Sequence, residues 1–122
     1  MIDIEKTRQY YNNLSSKDLC DCEYCVNYMN RIKDSYPLIA QYLESIGVDI
    51  EKPFETMCLN PGEADHIDYF GPQYIVMGNT DSFKEIQIDD IHIRKAESFP
   101  YTDILDKHFV IELYPIISLK LN

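Results

Sequence analysis

The chain has few of the residues from which familiar catalytic loops are built. Only four of its 122 residues are glycine, and tryptophan is absent. Loops that close around phosphate groups need glycine. The sequence has no loop of this kind, and it also lacks the G-x-S-x-G, H-E-x-x-H and EF-hand patterns. These absences argue against an enzyme.

Positive charge is also scarce. Twenty-one acidic residues stand against eleven lysines and arginines, which gives a net charge of −10 at pH 7. This charge repels the phosphates of nucleic acids and anionic membrane surfaces, so we expect neither a nucleic-acid nor a membrane partner. The acidic balance suits a cation, a basic protein partner or simple solubility.

Long apolar runs are missing as well. No stretch approaches the roughly 20 apolar residues that cross a bilayer, and the first residues lack the apolar segment of a secretory signal. We therefore expect a cytoplasmic protein. In that reducing compartment cysteines serve as thiols, metal ligands or core residues before they form disulfides.

Apolar residues in the first half recur every three or four positions, as on one face of a helix. A weak pattern of this kind follows Asp3, and stronger ones predict two helices over residues 19–47. Tyr36-Pro37 separates these two helices, because the residue before proline avoids the helical conformation. Gly47 is a typical C-terminal cap. In the first of the two we expect one buried stripe, made of Cys22, Cys25, Val26, Met29 and Ile32.

After Pro53 the apolar period changes to two, which indicates β-strands. The parity of the isoleucines changes at Asp89-Asp90, which marks either a β-bulge or a tight turn. Pro115 predicts an edge position or a bend in the last strand. The sequence therefore predicts a single α+β domain over residues 1–122. Its N-terminal helical hairpin, in a helical part of about 1–50, packs on a C-terminal antiparallel β-sheet of about 53–122.

Four cysteines form the candidate site. Three lie within six residues in a C-x-C-x2-C arrangement, and the fourth lies far downstream. Zinc binds to thiolates that come in closely spaced pairs, so Cys20, Cys22, Cys25 and Cys58 are candidate zinc ligands. The second close pair of a zinc ribbon is missing, and we expect Cys58 not to join the other three around one centre.

The same cysteines allow two other interpretations. Cys22 and Cys25 have the spacing of a redox pair, and a helix that starts at Cys22 behind an Asp21 cap would favour a thiolate. The carboxylates near Cys22 in the sequence disfavour a thiolate there, because it would add a second negative charge beside them. Alternatively, the thiols lie on the apolar stripe and fill the core, because free cysteine packs as a small hydrophobe. The periodicity favours this last interpretation.

The run Asp21-Cys22-Glu23-Tyr24-Cys25, followed by Asn27-Tyr28, resembles a group of small bacterial proteins that share a D-C-E-Y-C-x-N-Y helix start. Tyr36-Pro37 and Gly47-Val48-Asp49 extend the resemblance over about residues 18–55. It implies no activity, cofactor or catalytic residue.

The chain contains ten tyrosines. Tyrosine is enriched at protein interfaces, although it also lines the margins of small cores. The three histidines, His66, His92 and His108, match no metal-binding motif and are expected at the surface. The leading hypothesis is a small acidic, non-enzymatic binding domain with a protein as its partner. The alternative is a thiol-based site, for zinc or redox chemistry, built on the four cysteines.

Overall fold

The computed structural model describes residues 1–59 and 65–121. Helices α1 (Ile4–Asn13), α2 (Glu23–Ser35) and α3 (Pro37–Ser45) come first, with a short 3-10 turn at Ser16–Asp18. In the described part seven strands follow: β1 (Cys58–Leu59), β2 (His66–Phe70), β3 (Gln73–Met77), β4 (Ile86–Ile88), β5 (Ile91–Lys95), β6 (His108–Tyr114) and β7 (Ile116–Lys120). The α+β class is confirmed.

Local signals set the ends of the helices. The Asp3 side chain accepts a hydrogen bond from the Lys6 N–H at 2.9 Å and caps α1. Helix α3 ends where Gly47 adopts a φ of 89° and the Val48 N–H reaches the Leu43 carbonyl at 2.9 Å. A Cβ at Gly47 would lie 2.6 Å from the Ile4 carbonyl, so glycine lets the end of α3 approach α1.

The strands form two antiparallel sheets. One has the order β1-β2-β7 and the other the order β3-β6-β5-β4. The expectation of one continuous last strand was wrong, because Pro115 separates β6 in the second sheet from β7 in the first. Proline has no N–H to continue a ladder, and the bend predicted there is confirmed. Helix α2 packs against β7 and α3, and α1 packs against β3.

The isoleucine parity change is a tight turn. Ile88 pairs with Ile91 across strands β4 and β5, which leaves Asp89-Asp90 as a two-residue loop. Asp89 has a φ of 55°, and aspartate tolerates this left-handed conformation better than most residues. The β-bulge alternative is therefore excluded at this position.

The predicted buried stripe of α2 is confirmed at Ile32 and wrong at its other four positions. The buried residues of this helix are Asn27, Tyr28 and Ile32. Cys25, Val26 and Met29 are only half-buried, and Cys22 is exposed. The helix buries Asn27 because its side chain donates to the Lys120 carbonyl at 3.0 Å. The spacing of the apolar residues alone predicts that this polar side chain lies on the exposed face of the helix.

Tyrosine hydroxyls tie the helices to the sheets. The Tyr28 and Tyr74 hydroxyls are 2.6 Å apart, and Tyr74 donates to the Ile50 carbonyl at 2.7 Å. Since the Tyr74 proton goes to Ile50, Tyr28 donates to Tyr74. Tyr11 donates to the Ile75 carbonyl and Tyr69 to the Tyr24 carbonyl. The interface interpretation therefore fails for Tyr11, Tyr28, Tyr69 and Tyr74, which are buried core residues.

This series of hydrogen bonds predicts that two matched substitutions, Tyr28→Phe and Tyr74→Phe, lower the free energy of unfolding by different amounts. Tyr28→Phe removes one hydrogen bond and leaves the Tyr74–Ile50 bond intact, so we expect a loss of about 1 kcal/mol. Tyr74→Phe leaves both the Ile50 carbonyl and the Tyr28 hydroxyl unpaired in the core, so we expect a loss of about 2–3 kcal/mol. Urea unfolding measures both, with Tyr101→Phe as a control at an exposed position. If Tyr28→Phe and Tyr74→Phe lowered the free energy of unfolding equally, this would contradict the proposed direction of the hydrogen bonds from Tyr28 to Tyr74 to Ile50.

The buried tyrosines also predict sensitivity to alkali. Burial raises the pKa of Tyr11, Tyr28 and Tyr74, so the folded protein keeps protons that the unfolded chain releases above about pH 10. The free energy of unfolding should therefore fall as the pH rises beyond this value. Tyrosinate absorbance and circular dichroism, followed together, check this. Complete ionisation of the tyrosines with the circular dichroism signal unchanged would show that the hydroxyls are not buried.

Candidate metal centre

Three of the four candidate cysteines meet at the start of α2. Cys20 and Cys22 lie in the segment that leads into the helix, and Cys25 lies in its first turn. Their sulfur atoms all lie within 4.8 Å of one another. The described residues contain no other cluster of three or more cysteine, histidine or acidic side chains as close as this.

The helix start explains this convergence. Cys22 is the N-cap of α2, with extended backbone angles of −68° and 158°, and its sulfur accepts a hydrogen bond from the Cys25 N–H at 3.4 Å. The expectation that Asp21 caps the helix was therefore wrong. An N-cap side chain folds back over the first turn, so the Cys22 sulfur comes to lie beside that of Cys25.

The core interpretation does not describe this cluster. Cys20 and Cys22 are exposed, and only Cys25 is partly covered. The Cys25 sulfur lies 3.5 Å from the Thr56 hydroxyl, within hydrogen-bonding distance. Thr56 is 31 residues away in the chain, so nothing in the local sequence around the cysteines pointed to this contact.

The electrostatic environments of Cys22 and Cys25 differ. The hydrogen bond from the Cys25 N–H, reinforced by one from the Cys20 thiol, lowers the pKa of Cys22. Burial raises the pKa of Cys25 to about 12, against the opposing effect of its hydrogen bond to Thr56. Of these two thiols, Cys22 is thus the one that more readily becomes a thiolate.

Cys58 lies near the cluster but outside the set of three. It is half-buried and is the first residue of β1. Burial raises its pKa, and the charge of Cys22 raises it further, so the two thiols are within electrostatic reach of each other. The structure therefore places three of the predicted ligands together and the fourth at a greater distance.

The histidines lie elsewhere and contact other groups. The His66 Nδ1 lies 2.6 Å from an Asp65 carboxylate oxygen, and the His92 Nδ1 lies 3.1 Å from Glu85. His108 was expected to be solvated, but it is half-buried and its Nε2 lies 2.7 Å from the Thr102 hydroxyl. The sequence also places His66 among Glu63, Asp65 and Asp68, a set with the oxygen and imidazole groups that bind metals, but Glu63 lies outside the described residues.

In the described ranges, no helix is both long and apolar enough to span a bilayer. Comparisons with protein-family models, with curated proteins and with solved structures find no match to this chain. The resemblance of the Cys22 segment to small bacterial proteins therefore stays an expectation, and no relative supplies a function.

The pKa differences predict which cysteine is alkylated first. In metal-free, reduced protein near neutral pH, iodoacetamide should modify Cys22 about a hundredfold faster than Cys25, because the thiolate is the reactive form. Peptide mass spectrometry after short exposures measures both rates. Cys58, whose pKa is raised, should also react more slowly than Cys22. Equal rates at Cys22 and Cys25 would contradict the assignment of the thiolate to Cys22.

Proposed function

We propose that this protein is a small acidic binding domain that holds a zinc ion through the thiolates of Cys20, Cys22 and Cys25. The observation that carries the proposal is the convergence of these three sulfurs within 4.8 Å of one another. Thiolate clusters select soft or borderline metals, and zinc is the one most often bound by closely spaced cysteines.

The distances suit a tetrahedral ion. With zinc–sulfur bonds of about 2.3 Å, the ligand sulfurs of a tetrahedron stand about 3.8 Å apart. Sulfurs already within 4.8 Å reach that arrangement through side-chain rotations. Cys20 and Cys22 are exposed and have room to rotate. A redox pair needs only two sulfurs, so the third supports metal binding.

The surroundings favour thiolate ligands. The positive end of the α2 dipole and the Cys25 N–H both stabilise negative charge on the Cys22 sulfur. The Thr56 hydroxyl orients Cys25 from outside the ligand set, as hydrogen-bond partners of metal ligands commonly do. The raised pKa of Cys25 is compatible with this role, because a bound zinc ion deprotonates a coordinating thiol.

Three protein ligands leave the fourth position of the tetrahedron to water or to a donor from another molecule. Closed structural zinc sites use four protein ligands, whereas three-ligand sites keep a position open. The exposure of Cys20 and Cys22 agrees with an open site. In this proposal Cys58 is not a ligand, and the domain binds zinc at its surface.

A second candidate function is thiol–disulfide exchange between Cys22 and Cys25. The observation that favours it is the pairing of an exposed thiol of lowered pKa with a half-buried thiol whose pKa is raised to about 12. In this function the Cys22 thiolate attacks a disulfide of another molecule, which forms a mixed disulfide and releases one of that molecule's sulfurs as a thiolate. Cys25, after losing its proton, then attacks the Cys22 sulfur, which forms the Cys22–Cys25 disulfide and releases the other sulfur of that molecule as a thiolate. Cys20 and Thr56 have no required part in that reaction.

Metal analysis of four serine variants tests the zinc proposal. Wild-type protein kept reduced should bind one zinc per chain, and so should the matched control Cys58→Ser. Cys20→Ser, Cys22→Ser and Cys25→Ser should each lose more affinity than the roughly 10–100-fold that changes outside the ligand set cause. Thr56→Val should fall within that smaller range, and circular dichroism verifies that each variant folds.

Three results would contradict the proposal. The first is reduced wild-type protein that binds no zinc. The second is loss of zinc from Cys58→Ser, which would make Cys58 the fourth ligand of a closed site. The third is a Cys20→Ser variant that binds zinc like the wild type. In the last case, a stable Cys22–Cys25 disulfide in oxidised protein would favour exchange chemistry instead.

A further inference from the structure

A groove of about 810 Å³ lies where the two sheets adjoin. Its lining includes three apolar side chains: Met57 from the segment before β1, Phe70 of β2, and Phe99 from the segment between β5 and β6. These three apolar side chains are 58%, 43% and 44% exposed. A grouping of exposed apolar side chains around one depression is typical of a binding surface.

The groove is negatively charged. Glu55, Glu97 and Glu112 line it, and among its described lining residues the sole cation is Arg94. The Arg94 Nε donates to Glu112 at 2.8 Å, and its guanidinium lies 3.6 Å from the centre of the Tyr114 ring. Arg94 is therefore already paired, and the charges of Glu55 and Glu97 remain to attract a cation.

One of the residues that line the groove, Gln73, has a buried acceptor without a partner. Gln73 is 9% exposed, and its Nε2 donates to the Ser98 carbonyl at 2.9 Å. Its Oε1 has no hydrogen-bond partner among the described residues. The Ser98 carbonyl fixes this orientation of the amide, because the reverse orientation would place two acceptors together. Buried acceptors are normally satisfied, so this oxygen calls for an N–H or O–H donor.

We propose that the groove binds a segment of a partner protein in which lysine or arginine alternates with apolar residues. The apolar side chains of the segment pack against Met57, Phe70 and Phe99, and its cations lie near Glu55 and Glu97. The net charge of −10 steers such a segment towards the protein.

This inference goes beyond the zinc site and does not depend on it. A protein segment is favoured over a small amine because aromatic and methionine side chains with charged neighbours are typical of protein interfaces. The two proposed sites do have one residue in common, since Thr56 lines the groove and also contacts Cys25. Binding to the groove should therefore be measured on wild-type protein with and without added zinc, and it should persist in both.

The probe is a fluorescein-labelled peptide of about ten residues in which lysine alternates with leucine and phenylalanine. Two matched peptides replace lysine by glutamate, or the apolar residues by serine. Fluorescence anisotropy should show that the first peptide binds at least about tenfold more tightly than either of the others, because both charge and apolar contact are required. Binding of the lysine–serine peptide with equal affinity would overturn the proposal, since charge alone would then suffice.

Paired variants locate the binding. Glu97→Lys should weaken binding about tenfold, whereas Asp34→Lys, which changes the net charge equally on the exposed face of α2, should change it less than about twofold. Phe99→Ala should weaken binding about tenfold, and Tyr101→Ala, also exposed but outside the groove, should not. Equal effects within either pair would overturn the proposal. A simple aliphatic amine that displaces the peptide at a comparable concentration would overturn the assignment to a protein partner.

Discussion

The hydrogen-bonded hydroxyls of Tyr28 and Tyr74 are the interaction on which much of the structure depends. Tyr28 lies on α2 and Tyr74 lies on β3, and this series of hydrogen bonds ends at the Ile50 carbonyl beyond α3. It therefore joins α2, the segment after α3 and a sheet through polar groups that are removed from water. A buried hydroxyl without a partner is costly, so the rotation of α2 is fixed by the need to place Tyr28 beside Tyr74.

The cysteine cluster follows from that rotation. With Tyr28 directed inward, Cys25 lies towards the edge of the core beside Thr56, and Cys22 stays outside at the N-cap. Had the helix buried the Cys25–Met29 stripe instead, the thiols would have been covered and could not offer sulfur to an ion. The chemistry proposed for the thiols is thus a consequence of the hydrogen bonds that the tyrosine hydroxyls make in the core.

The segment around Glu55 connects the two proposed sites. Its backbone pairs with β3, since Phe54 donates to the Gln73 carbonyl at 2.8 Å and Gln73 donates to the Glu55 carbonyl at 2.9 Å. This pairing places Thr56 against Cys25 and leaves Glu55 on the groove. Both proposed ligands, a metal ion and a basic segment, are cationic, which agrees with the acidic composition of the chain.

The sequence by itself determined the helices and most of their ends, because Asp3, Pro37 and Gly47 act on the backbone within a few residues. It also determined the change to β-strands after Pro53 through the apolar period. It did not show that Cys22 is the cap of α2. Tertiary structure decided which face of α2 is buried, how the strands divide at Pro115, and which cysteines meet. Tyr28 and Tyr74 are 46 residues apart, and Cys25 and Thr56 are 31 apart. Periodicity describes neighbours along one element, whereas these contacts depend on how separate elements satisfy one another's polar groups once they are packed.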